Sequence, residues 1–264
     1  MAPSRILGQK PLISLMKPLA LFALVLLSAA PARSENTLSI SEQYLLAAAN
    51  EARASQGLPP VHLDPVLAEA AVAHAREMAR HAAISHQFNG EPELAERAAT
   101  AGVRFSFISE NVAEAPTSIV IHDLWMHSPH HRANLLDPKV NSIGIAVVKR
   151  DNQLFAVEDF ASSVQTLTFN QQERAVAGIL VKSGMKVAQT TEDARQTCTM
   201  DTGFAGSRQP WFIMRYTASS LNEIPSQLKT RLDSGKYHRA VVGACSNPHK
   251  TPFTSYNIAV LLYP

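Results

Sequence analysis

The sequence predicts an α+β fold in two parts, a mostly helical first part closed by a small antiparallel sheet and a smaller α+β second part. Three observations carry this. Apolar residues recur at helical spacing from Ser39 to His127, between strong start and stop signals. At Ser142 the period changes to that of strands. From about Leu167 the pattern resets, and segments follow in the order helix, strand, strand, twice over.

Taken in order, Ser39 with Glu42 three residues on is a capping box, after which Leu45, Ala48, Ala49 and Ala52 keep helical spacing until Gly57, Pro59 and Pro60 stop the helix. Asp64-Pro65 starts a second helix, with an N-cap and a proline at the first helical position, and Leu67, Ala70, Ala71, His74 and Met78 line one face. A shorter helix runs from Glu91 to Ala101 and closes at Gly102. Thr117 to His127 form another, which buries Ile121, Leu124 and Trp125, and Ser128-Pro129 restarts a helical turn containing His131. Ser142 to Lys149 and Gln153 to Phe160 then form a hairpin across Arg150-Asp151-Asn152.

In the second part Gln171 to Ser183 reads as a helix, Met185 to Thr191 and Trp211 to Thr217 as strands, Leu221 to Ser234 as a helix, and Arg239 to Cys245 and Tyr256 to Tyr263 as strands. The repeated helix-strand-strand order suggests a weak duplication inside this part. No catalytic constellation stands out in it.

Ahead of both parts, Arg5, Lys10 and Lys17 precede the apolar run Leu19 to Leu27 and the small-residue site Ala30-Pro31-Ala32, the pattern of a secretory leader over residues 1–34. The run falls short of the ~20 residues that span a bilayer, and no later stretch could span, so a secreted or periplasmic protein without a stable membrane anchor is expected. The mature chain divides into residues 35–164 and 165–264. With 24 basic and 22 acidic residues and no long basic run, nothing marks a nucleic-acid partner. The two cysteines, Cys198 and Cys245, pair most economically as a disulfide in an oxidising compartment, with two buried thiols as the alternative.

The chemistry concentrates in His86, Glu110 and His131. Two imidazoles and a carboxylate suit zinc or another borderline divalent ion that keeps a position open for water. They lie too far apart for a tight zinc motif, so only the fold can bring them together. Each also has a plainer reading: a polar histidine near a helix end, or a loop carboxylate that accepts backbone N–H groups. His130 competes with His131, but neighbours on a helical turn point about 100° apart and cannot serve one ion equally. Ser85 and Ser128 lack a nucleophile-elbow sequence, and Ser128 before Pro129 is a helix cap.

Several stretches resemble the CAP superfamily of cysteine-rich secretory proteins, antigen 5 and pathogenesis-related proteins, in its bacterial branch. They are Asn50-Glu51-Ala52-Arg53 with Gly57-Leu58-Pro59-Pro60, Leu63-Asp64-Pro65 with His74 and Met78, Ser85-His86, Glu110-Asn111, Trp125 to Leu136, and Ile143-Gly144-Ile145. The resemblance covers roughly Ser39 to Ala161 and implies an α-β-α sandwich with a cleft. His86, Glu110 and His131 match the family's cleft histidine, glutamate and second histidine. Some members bind divalent metal there, and others bind sterols or lipids. The further glutamate that eukaryotic members carry near the position of Ser128 is missing, and the usual Gln-Asp-Phe-Gly is here Glu158-Asp159-Phe160-Ala161, so Glu158 or Asp159 is open as a substitute carboxylate.

Two functions follow. The first is an exported, non-enzymatic module whose cleft binds a divalent metal, a lipid or another small or cell-envelope ligand. The second is a metal-dependent hydrolase of peptides or cell-wall material, with His86 and His131 on zinc and Glu110 as general base. The missing fourth acid and the absence of a tight metalloprotease motif favour the first.

Overall fold

The leading helix is fixed at its start by the expected box: Ser39 Oγ accepts from the Glu42 N–H, and the Glu42 carboxylate accepts from the Ser39 N–H. A computed structural model of the chain describes Met1, residues 38–247 and residues 251–264; apart from Met1, the secretory leader lies outside them. Helix α1 (Ile40–Ser55) leads to a two-residue strand β1 (His62–Leu63), then α2 (Pro65–His81) and α3 (Leu94–Ala101). Next come β2 (Phe105–Ala115), α4 (Ser118–His127), α5 (Pro129–Leu135), β3 (Ser142–Arg150) and β4 (Gln153–Ser163).

These strands form one sheet in the order β1-β3-β4-β2, with β1 parallel to β3 and the other pairs antiparallel. Helix α2 covers one face, where Ala71, Ala75 and Met78 pack on Val112, Ala146, Phe155 and Val157. Helices α1, α4 and α5 cover the other, where Leu45, Ala49, Ile121, Trp125 and Leu135 pack on Ile143, Ile145 and Phe160. The result is an α-β-α sandwich. The fully buried Arg53 fastens it, donating to the carbonyls of Pro59, Leu135, Asp137 and Val140. Asn50 holds both backbone groups of Val61. Residues of the first family motif therefore work as tethers between α1 and two loops.

The second half contains α6 (Phe169–Lys182), β5 (Lys186–Val187), α7 (Glu192–Thr199), β6 (Phe212–Ala218), α8 (Ser226–Asp233), β7 (Arg239–Cys245) and β8 (Tyr256–Tyr263). Its sheet runs β5-β7-β8-β6, again with one parallel pair, β5 and β7, followed by two antiparallel pairs. Both halves thus have the same strand order and the same senses. Helix α6 even opens on a second capping box, Thr168 with Gln171. Helices α6 and α8 pack Val176, Leu180, Leu228 and Leu232 on one face of this sheet, and α7 lies on the other. The segment before β8 reaches back to the first sheet: Phe253 meets Phe105 edge-on, and the Thr254 N–H donates to the Phe105 carbonyl at 2.7 Å.

The structure corrects several expectations. Glu110 lies in the middle of the eleven-residue strand β2, not in a loop. The shorter helix starts at Leu94 rather than Glu91, because Pro92 lies between them and the N-cap position falls on Glu93. Leu124, expected in the core, is 48% exposed. The strand expected from Met185 to Thr191 shrinks to Lys186–Val187, and the unforeseen α7 follows, capped by Thr191. Pro225 holds back the start of α8 to Ser226. Cys198 sits within α7, and its bond to Cys245 is formed. The suggested duplication is also different in kind, since the whole second half repeats the topology of the first.

Candidate functional site

Strand β2 is an edge strand of the first sheet, so its residues are reached from both faces and from the side. Glu110 points to the α2 face with Gly144 and Asp159, its partners in register; Asn111 points to the opposite face with Ile145 and Glu158. The site is built around that alternation.

On the α2 face the Glu110 side chain is only 2% exposed, and both of its oxygens are engaged. Oε1 meets His86 Nδ1 at 2.8 Å, and Oε2 accepts from Arg97 Nη2. Arg97, on α3, is itself buried and donates through Nη1 to the carbonyls of His86 and Pro92. Behind them lies His74 of α2, fully buried, whose Nε2 donates to the Ser85 carbonyl and whose Nδ1 meets Glu91 at 2.7 Å. The loop carrying His86 is therefore tied down by two buried side chains from two helices. The His86 side chain remains 63% exposed. With Nδ1 turned to Glu110, Nε2 is the nitrogen left for a ligand.

On the other face Asn111 and Asn134 connect β2 to α5. Asn111 donates to the His131 carbonyl, and Asn134 donates to the Glu110 carbonyl and to Asn111 Oδ1. Trp125 Nε1–H donates to the Val112 carbonyl and fixes α4 to the same strand. His131 is half-buried and His130 exposed. The two cleft histidines differ electrically. The hydrogen bond to Glu110 raises the pKa of His86, against burial and the Arg97 charge. Burial lowers that of His131, and the His86 and His130 charges lower it further. The two shifts run in opposite directions, so His86 holds its proton more readily than His131 does.

Glu158 and Asp159 are both fully buried; the Glu158 oxygens find no hydrogen-bond partner among the described residues, and the Asp159 carboxyl faces Glu110. Burial pushes both well above the ordinary carboxylate range, and the Glu110 charge pushes Asp159 further. Of the two, Asp159 is the one beside Glu110. Neutral acids of this kind are poor metal ligands, which need a carboxylate. Among the described residues no three His, Cys, Asp or Glu side chains are grouped to hold a metal ion. Glu110 is committed to His86 and Arg97, so in this arrangement it acts as the carboxylate that orients the His86 ring and leaves Nε2 as the free nitrogen.

Sequence reasoning leads to His86, Glu110 and His131 around this strand. It passes over Arg97 and gives His74 a packing role. Neither has a local signal, since Arg97 finds Glu110 on another element and His74 finds Glu91 across a loop.

Comparisons with known proteins match this half. Residues 46–164 fit the family model described as CAP, the cysteine-rich secretory protein family. A curated relative, the uncharacterized protein YkwD of Bacillus subtilis (strain 168), is 28% identical over 134 residues, which are 46% of this chain and 51% of the relative. The chain thus spans about half the length of that relative. Among solved structures, an extracellular protein of Bacillus anthracis with an SCP domain is 24% identical at a TM-score of 0.43, over 46% of this chain and 40% of its own. An outer surface protein of Borrelia burgdorferi is 21% identical at a TM-score of 0.44, over 47% of this chain and 92% of its own. With the ordered motifs from Asn50 to Gly144 and the sandwich they build, residues 46–164 belong to the CAP family of cysteine-rich secretory proteins.

Proposed function

We propose that the chain is an exported protein, secreted or periplasmic, whose CAP domain is a non-enzymatic binding module for a small cell-envelope ligand. Residues 35–164 form the module and residues 165–264 a second domain. The ligand sits between His86 and His131 and presents a hydrogen-bond acceptor to the His86 Nε2–H. One observation carries the reading: both oxygens of Glu110 are already engaged, by His86 and by the buried Arg97. Two such partners fix the orientation of the carboxylate, which favours a positioning role over that of a general base. Glu110 instead orients His86 and favours its protonated form. Export is supported by the leader pattern and by the Cys198–Cys245 bond, a feature of oxidising compartments. No helix of the described residues is long and apolar enough to cross a membrane.

The test follows the imidazole resonances of His86 and His131 while soluble peptidoglycan fragments or a medium-chain fatty acid are added. Saturable shifts of both rings, without turnover of the added compound, support the module. Zinc titration calorimetry on the wild type and on His86→Ala/His131→Ala is expected to give equal, weak heats. Chelator-sensitive hydrolysis of peptide or peptidoglycan that disappears in Glu110→Gln would replace the module with the hydrolase.

A further inference from the structure

The two halves align residue by residue, because each sheet has one glycine pressed against a helix backbone. A Cβ on Gly144 would meet the backbone of Leu67 and Ala68 in α2, and a Cβ on Gly243 would meet the backbone of Ala194 and Arg195 in α7. Across the strands, Gly144, Asp159 and Glu110 lie side by side, and so do Gly243, Ala259 and Arg215. Arg215 therefore stands where the first half has Glu110, and Ala259 where it has the buried Asp159. Counting on by equal steps from the helix contacts, Cys198 takes the place of Ala71. One pair of strand residues further, Cys245, Asn257 and Thr217 replace the apolar Ala146, Val157 and Val112. The Cys198–Cys245 bond thus joins the positions at which Ala71 and Ala146 merely pack.

The helices differ in length. Helix α2 continues to His81 and covers Val112 and Val157, whereas α7 ends at Thr199. The matching space in the second half is a cavity of about 650 Å³, bordered by Arg215, Thr217, Asn257, Asp201 and the disulfide. Asn257, on its wall, has a buried Nδ2 without a hydrogen-bond partner. Arg215 donates Nε–H to the Thr197 carbonyl and Nη2 to the Gly203 carbonyl, and among the described residues it makes no ion pair. A half-buried guanidinium, an amide N–H₂ without a partner and a threonine hydroxyl border one space, with the Asp201 carboxylate also on its wall and its charge acting on Arg215. Solvation alone explains an exposed polar wall; it does not explain a buried amide left unbonded.

We infer that this cavity is a second binding site, the counterpart of the His86–Glu110 cleft with its charge inverted, and that it takes a small oxyanion through Arg215, Asn257 and Thr217. Asp201 borders the same space, and its like charge would keep an anion away from that part of the wall. The site is separate from the first cleft and does not depend on what binds there.

Calorimetric titration of the mature full-length chain with inorganic phosphate and, separately, with acetate tests this. One of the two is expected to bind saturably, and the stronger names the anion class. Thr217→Glu puts a carboxylate on an exposed position next to Arg215, and Asn257→Ala removes the orphaned donor; each is expected to weaken binding about tenfold or more, the scale of one lost charge-assisted contact. His86→Ala is expected to leave the affinity unchanged. Absence of saturable heat with both anions overturns the inference. So does an affinity that stays the same in Thr217→Glu and Asn257→Ala, or one that is lost in His86→Ala.

Discussion

Asp159 lies directly across the β2–β4 ladder from Glu110, fully buried, with its pKa pushed well above the ordinary carboxylate range by burial and by the charge on Glu110. The first sheet therefore carries two carboxyls in register, of which Glu110 alone is held by Arg97. Their roles separate by mutation. Asp159→Asn preserves a neutral side chain of the same shape and is expected to change stability at pH 7 by less than about 1 kcal/mol. Glu110→Gln leaves the buried Arg97 with only the more distant Glu91, at 3.9 Å, as counter-charge and is expected to cost about 3 kcal/mol. Chemical denaturation of the two variants checks the contrast; similar losses in both would mean that Asp159 is ionised.

The same burial fixes a pH dependence. Glu158 and Asp159 have folded-state pKa values raised above those of the unfolded chain. The folded protein then holds protons that the unfolded chain releases, so this contribution to stability is complete below the ordinary carboxylate range, around pH 4, and declines as pH rises above it. The variant Glu158→Gln/Asp159→Asn is expected to remove that slope and to gain on the wild type steadily toward alkaline pH. Denaturation midpoints measured from pH 5 to pH 9 read it directly; parallel curves would refute it.

For the cleft histidines the expected titrations run in opposite directions. His86, held by Glu110, should titrate above the ordinary value near 6.5, and His131 below it. Because the His86 shift is upward, its attraction to Glu110 is complete below that ordinary value and is lost as pH rises through the folded one. In Glu110→Gln the His86 midpoint is expected to fall back while that of His131 changes little. Two-dimensional NMR of the imidazole signals decides this, and an unmoved His86 would show that its partner is another group.

What could be read in advance, and what could not, follows the range of the interactions. The capping box at Ser39 and the Asp64-Pro65 start are signals a few residues long, and the β3–β4 hairpin shows its own turn; all three stand where expected. Strand β2 was invisible because Glu110 and Asn111 put polar residues on both faces of a buried strand, and they are satisfied only by Arg97 and Asn134 from distant elements. Helix α7 is short and polar, with little apolar period to reveal it. His86, Glu110 and His131 were singled out by the motifs around them, yet the lock on Glu110 was not, since nothing near Arg97 in sequence points to it.

The disulfide gives a further expectation. Cys198 and Cys245 are 47 residues apart, and in the chain-entropy account a loop of that size stabilises by about 4 kcal/mol. Cys198→Ala/Cys245→Ala restores the alanine pair of the first half and is expected to lose most of that amount. The loss should appear in the second half alone, as earlier amide exchange in β7 and β8 with β3 and β4 unchanged. Equal acceleration in both sheets would show that the halves unfold as one.

The two pressed glycines offer the most direct check that the halves share one packing plan. At Gly144 a Cβ would come within 2.5 Å of the Leu67 backbone, and at Gly243 within 2.2 Å of the Ala194 carbonyl. Backbone cannot swing aside as a side chain can, so each helix must lift from its sheet. Gly144→Ala and Gly243→Ala are each expected to cost about 1–3 kcal/mol or more through overpacking. The consequences should differ by site. Lifting α2 moves His74 and the loop it ties at Ser85, so Gly144→Ala should perturb the His86 resonance. Lifting α7 draws the Thr197 carbonyl away from Arg215, so Gly243→Ala should leave His86 alone and disturb the Arg215 Nε–H signal. If either substitution were neutral, the close approach that aligns the two halves would be wrong at that position.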